Sequence, residues 1–163
     1  MACALSALLC YEPARIGHAA ESQATSPTPT AVPEYHPSFG DLMTMAVQPR
    51  HTKLGLAGQE GNWPYARYEL SELRNAFARI ARTIPTYQDT DTQVILNAMA
   101  TPTLDETARA IEAGDARAFR EAYAHLTAAC NACHVALQHS FVVIQAPTKS
   151  AYPDQDFRPR KQP

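Results

Sequence analysis

The chain has 163 residues, enough for one domain with a core of its own. Its 14 Lys and Arg nearly balance 16 Asp and Glu, which excludes nucleic acid or another polyanion as the main partner on charge grounds. No run reaches the ~18 apolar residues that a membrane span needs, and 13 prolines gather toward the two ends, which frees the middle to be helical.

The opening stretch, MACALSALLC, is apolar but short and lacks the Lys or Arg that usually precede an export segment. Gly17-His18-Ala19 has the look of a small-residue cleavage site, so residues 1–20 read either as an export signal or as a disordered leader. Ala7-Leu8-Leu9 lacks the small residue that would make Cys10 a lipoprotein site, and Cys3 and Cys10 acquire no role. Residues 21–36 are rich in Ser, Thr and Pro and read as a linker.

A first helix is expected from Ser38 to Ala57. At about 100° per residue, Phe39, Leu42, Met43, Ala46, Val47, Leu54, Leu56 and Ala57 share a broad apolar side, with Thr44, Gln48, His51 and Thr52 opposite. Pro49 should kink or interrupt it, because proline lacks the backbone donor and crowds the preceding turn. Gly58, Gly61 and Asn62 break the pattern. A second helix runs from Pro64 to Ile84, where Ala66, Leu70, Leu73, Phe77, Ile80 and Ile84 form the most regular stripe in the chain. Residues 86–102 are mixed, with a short helix over Gln93–Met99, and no strand shows a two-residue alternation. Thr103 and Glu106 have the spacing of a capping box for a third helix that Gly114 ends. Asp115 caps a fourth helix reaching Phe141, with Phe119, Tyr123, Leu126, Cys130, Cys133, Leu137 and Phe141 on one face. The expected fold is all-α: an antiparallel four-helix bundle over residues 37–146, with an irregular N-terminal arm and an irregular tail over 147–163.

Within the fourth helix lies Cys130-Asn131-Ala132-Cys133-His134. A redox dithiol would sit at a helix N-terminus behind a strand, and neither is expected here. A structural zinc site needs four ligands, and Cys130, Cys133 and one histidine leave a gap. Covalent haem needs only what is present: two thiols, one turn apart on one helix face, and an adjacent imidazole as iron ligand. One haem c, held by Cys130 and Cys133 with His134 as proximal ligand, is therefore the expected cofactor. Ala128, Ala129, Ala132 and Ala136 leave room for a flat ring.

The stretch Phe119-x-x-x-Tyr123-x-x-Leu126-x-x-x-Cys130-Asn131-Ala132-Cys133-His134 resembles the last helix of the cytochrome c′-like, or class II, c-type cytochromes. The resemblance spans Phe39 to about Phe141, is specific at CNACH and is pattern-level elsewhere. It implies a periplasmic four-helix bundle that transfers single electrons to periplasmic redox partner proteins. Pairing as a homodimer through the first two helices is compatible with the stripe over 66–84, although a core stripe looks the same. Pro49, the short third helix and the long tail depart from the family.

The resemblance also implies that the residue opposite His134 comes from the first helix. The candidates, in order of preference, are Met45 at the edge of the apolar side, His51, whose phase beyond Pro49 is uncertain, and Met43 in the core. Arg50 and Lys53 fall near the apolar side and either snorkel or pair with the haem propionates. Tyr123 packs and is a candidate ring contact, while His125 and His139 lie off the ligand face. The alternatives are a five-coordinate haem protein that binds NO or CO, and a haem-free helical interaction module in which the cysteines form a disulfide or metal clip. No acid–base pair or nucleophile constellation stands out, so no enzyme is expected and no catalytic residue is assigned.

Overall fold

The structure, a computed structural model, describes residues 34–161; the expected leader, most of the linker, Cys3 and Cys10 lie outside them. The described chain is mostly helical, with one small two-stranded hairpin. Its elements are α1 (Phe39–Leu42), a π-turn (Met43–Val47), α2 (Gln48–Gln59), α3 (Trp63–Thr83), β1 (Thr86–Tyr87), β2 (Thr90–Asp91), α4 (Thr92–Met99), α5 (Thr101–Ala113) and α6 (Ala116–Ala136). No helix among the described residues is long and apolar enough to cross a membrane.

Ser38 opens α1 with a capping box: its hydroxyl accepts from the Asp41 N–H while the Asp41 carboxylate accepts from the Ser38 N–H. Pro49 does not break the helix that follows. It sits in the first turn of α2, where its missing N–H costs least, and the chain widens just before it. Gln48 N–H reaches back five residues to the Met43 carbonyl, a π-helical bond. The widened turn takes up roughly one extra residue, so every side chain beyond it is rotated by about 100° from the phase of an unbroken helix.

The α3 stripe matches the sequence expectation. Ala66, Leu70, Leu73, Phe77 and Ile80 are buried, and Ile84 packs half-buried beside them. Its regularity is thus accounted for by the core of a single chain. The same face also buries Glu69, whose side chain is 1% exposed and pairs with Arg50 across α2 at 3.2 Å. Burial pushes the Glu69 carboxyl above its ordinary value, and Arg50 opposes that rise.

The hairpin was not expected. Thr86 pairs with Asp91 and Tyr87 with Thr90, around Gln88 and Asp89, both at positive φ. Such a turn favours Asn-Gly, and Gln-Asp gives no such signal. Nor is the Thr103 capping box formed. α5 begins two residues earlier at Thr101, and the Thr103 hydroxyl bonds back to the Ala100 carbonyl. Gly114 ends α5 at φ +64° and Asp115 caps α6, both as expected. α6 stops at Ala136, short of Phe141. Gln138 takes a positive φ, the chain turns, and Phe141 is 79% exposed instead of continuing the core face.

α2 packs on α3, α3 on α5, α5 on α6, and α6 returns to α2. The last contact depends on glycine. A Cβ at Gly58 would stand 2.0 Å from the Phe119 ring, and one at Gly55 would stand 2.5 Å from the Tyr123 hydroxyl. Gly58 therefore lies within α2 at a helix contact and does not terminate it. The tail is irregular, as expected, but it is not free. Phe157 is buried and stacks on Tyr65 at 5.4 Å, and Tyr65 donates to Gln155. Asn62 and Gln59 donate to the carbonyls of Arg158 and Pro147. Arg158 and Arg160 are tied to Asp156.

Gly58→Ala is expected to destabilise the chain by at least about 1–3 kcal/mol, the cost of overpacking a rigid ring contact. Gly40→Ala, whose added carbon meets nothing nearer than 3.8 Å, should be neutral or stabilise by about 0.4–1 kcal/mol. Urea unfolding of the two variants side by side checks this, and equal stabilities would remove glycine as the cause of the α2–α6 approach.

Candidate functional site

The last two turns of α6 bring Cys130, Cys133 and His134 to one cavity of about 230 Å3. The π-turn and the start of α2 supply the facing wall through Met43, Val47, Gln48 and His51. Phe77 of α3, Leu96 and Met99 of α4 and Ala100 just after it also line the cavity, as does the stretch Val142–Gln145. The lining is mainly apolar; its sulfur and imidazole groups on α6 face Thr44, Gln48, His51 and Thr52 of the π-turn and α2.

Both cysteines are free thiols. Burial pushes the Cys130 thiol up to about 11, with the Cys133 sulfur adding to the rise. Burial also raises Cys133. Reactive dithiols require the opposite shift, so this pair is a poor redox nucleophile at neutral pH. Among the described residues, no group of three or more His, Cys, Asp or Glu gathers as it would around an ion, which leaves the zinc reading without its ligands there.

His134 is oriented by the chain that follows it. Its Nδ1 lies 2.7 Å from the Val142 carbonyl. A carbonyl only accepts, so Nδ1 carries the proton and the lone pair is left on Nε2. That is the tautomer a metal-binding imidazole needs, held by the backbone bond that typically accompanies one.

His51 is the largest departure from expectation. It was placed on the polar side of an unbroken helix; the π-turn rotates it inward, and it is 4% exposed. Tyr123 stacks on its ring, and the Tyr123 hydroxyl lies 3.0 Å from Nδ1 and 2.8 Å from the His51 carbonyl. Nε2 lies 3.1 Å from the Thr127 oxygen, whose hydroxyl also bonds the Tyr123 carbonyl. With the ring neutral, one hydroxyl proton serves two acceptors: either Nε2–H donates to Thr127 and the Tyr123 proton is shared between Nδ1 and the His51 carbonyl, or Nδ1–H donates to Tyr123 and the Thr127 proton is shared between Nε2 and the Tyr123 carbonyl. Both imidazole nitrogens are then occupied by protein. His51 borders the cavity but has no free lone pair to offer a metal.

The methionine order also reverses. Met45 is 59% exposed and does not line the cavity, whereas Met43, two residues earlier, does. Arg50 is drawn to Glu69 and Glu72 of α3. Lys53 sits over the Tyr152 ring, 4.6 Å from its centre. Neither reaches the cavity, so the propionate role is withdrawn for both. Tyr123 is buried behind His51 and is not a cavity residue, because its hydroxyl is spent on α2. His125 is at the surface with Glu106, as expected, and His139 bonds the Leu137 carbonyl and Tyr87. Sequence reasoning missed Met99, which has no spacing relation to the motif, and Asn131, to which it gave no role.

No family model, curated protein or solved structure matches this chain.

Burial holds the His51 imidazolium pKa down at about 4, from an ordinary 6.5. The unfolded chain therefore binds the extra proton first as pH falls. The contribution of His51 to stability is complete above about pH 6.5 and is lost progressively toward pH 4, by on the order of 3 kcal/mol. Denaturant unfolding of the haem-free chain across that range should show this slope, and His51→Gln should flatten it. Identical slopes for the two chains would show that His51 is not held neutral by the fold.

Proposed function

We propose that this protein is a monohaem c-type cytochrome that carries single electrons, built on an antiparallel four-helix bundle of the class II kind. The closed ring of packing from the helical stretch 39–59 through α3, α5 and α6 supports the bundle, with α4 as an addition between the second and third members. The observation that carries the function is the donor set: two neutral thiols one turn apart, facing an apolar cavity, beside an imidazole whose Nε2 is left free by the Val142 bond.

These residues fit a covalent porphyrin. Cys130 and Cys133 would hold it as thioethers, each S–H adding across a vinyl group, sulfur to one carbon and hydrogen to the other, with no oxidant required. When bound, the haem supplies the one-electron couple. The chain's part is to hold it, orient His134 and keep water from the apolar wall. At about 230 Å3 the cavity is smaller than a typical cofactor site. With the Val142–Gln145 segment held in place by His134 and Asn131, seating a macrocycle therefore leaves a ring edge in solvent.

For the distal ligand we choose Met43, the thioether of the first helical stretch that borders the cavity, with Met99 as the other sulfur there. Export to the periplasm and exchange of electrons with redox partner proteins belong to the same reading.

The test is expression in a host that attaches haem. The purified protein should gain the mass of one haem that resists acidified solvent, and the double variant Cys130→Ala/Cys133→Ala should not. A low-spin spectrum should be lost in Met43→Ala and kept in Met45→Ala. A high-spin spectrum that responds to carbon monoxide would move the reading to an open, gas-binding iron. Colourless protein with both thiols alkylatable would overturn it in favour of a haem-free module.

A further inference from the structure

Asn131, one of the two residues between the cysteines, bonds the chain that returns over the cavity. The Asn131 side-chain amide bonds both main-chain groups of Ile144: Oδ1 accepts from the Ile144 N–H at 2.7 Å, and Nδ2 donates to the Ile144 carbonyl at 2.9 Å. The two bonds engage two successive peptide groups, and so fix both position and direction of the segment. The Val142 carbonyl, two residues before Ile144, is the acceptor for His134 Nδ1–H. Among the described residues, the bonds from Asn131 and His134 are the only side-chain hydrogen bonds from the helices to the stretch between Val142 and Ala146. The next tie is Gln59 to Pro147.

We propose that Asn131 is the positioning residue for His134: by clamping Ile144 it holds the Val142 carbonyl against Nδ1, and so fixes the tautomer that leaves the lone pair on Nε2. Asn131 and His134 lie three residues apart on α6, so one face of the helix carries both the ligand and the device that orients it. The clamp acts through the returning chain and never touches the imidazole. The tautomer part stands on the geometry of the chain itself, and its consequence for iron rests on the function proposed above. A donor bond from Nδ1 to a carbonyl makes the other nitrogen a stronger base, which favours ferric iron. Releasing it should therefore raise the reduction potential.

The experiment uses the full chain. In the haem-free state, nitrogen NMR should find His134 as the Nδ1–H tautomer and the Ile144 amide protected from exchange. Asn131→Ala should speed Ile144 exchange about tenfold, the equivalent of one hydrogen bond, and should leave His134 as a mixture of tautomers. Asn131→Asp keeps the acceptor for the Ile144 N–H and loses the donor, so it should fall between the two. It also decides the question if the alanine variant does not fold. In the haem-loaded state, Asn131→Ala should raise the potential while the covalent haem is retained. An unchanged His134 tautomer overturns the proposal, whether or not Ile144 exchange accelerates, and so does an unchanged potential. If the wild-type chain takes up no haem, the proposed function fails, while the tautomer and exchange readouts still decide the clamp.

Discussion

The close approach of α2 to α6 is the constraint on which the rest of the structure depends. Phe119 and Tyr123 lie where side chains at Gly58 and Gly55 would otherwise be. Only because they do can the Tyr123 hydroxyl reach the main chain and ring of His51. That tie sets the separation between the two walls of the cavity, one from the π-turn and α2 and the other from the cysteine-bearing end of α6. Phe119 also meets Trp63 edge-on at the start of α3, so the same contact gathers a third helix. Small residues on one helix and flat rings on the other thus convert a packing preference into a fixed gap.

α2 needs such outside references. Leu54, Gly55, Leu56, Ala57 and Gly58 are buried in succession, so no apolar stripe defines which way the helix is turned. Its rotation is set by two polar anchors. On one side His51 is neutral, with both nitrogens satisfied by Tyr123 and Thr127. On another, Arg50 meets the buried Glu69. A rotation of α2 would leave an imidazole, a carboxylate or both buried without partners, which is costlier than any misplaced methyl group.

What could be read from the sequence was what is local. The α3 stripe, the Gly114 stop, the Asp115 cap and the placement of Cys130, Cys133 and His134 on one helix each depend on a few neighbouring residues, and each is present. The failures share a different cause. Pro49 announces that a helix must adjust, but it does not say whether by a break, a kink or a widened turn. That choice set the phase for Met43, Met45 and His51, and so the order of the distal candidates. The destination of Arg50 was legible in principle, since Glu69 stands in an otherwise apolar stripe and needs a partner. The end of α6 and the role of Asn131 were not legible. Both depend on a chain reversal at Gln138 that brings Ile144 back over the helix, a contact that no period along the sequence encodes.

The C-terminal stretch is fastened at several places. Val142–Gln145 lies on the cavity, Gln59 holds Pro147, and Phe157 is sunk against Tyr65, with exposed Lys149 in the span between. The fastenings act in series. A pull applied beyond Arg158 is borne first by the Asn62–Arg158 bond, the aromatic stack and the Tyr65–Gln155 bond, then by Gln59 at Pro147, and strains the cavity wall only after those yield. Burying one phenylalanine supplies roughly 1.5–3 kcal/mol of such resistance. The stack at Tyr65 therefore works as strain relief, insulating the wall that orients His134 from mechanical disturbance further along the chain.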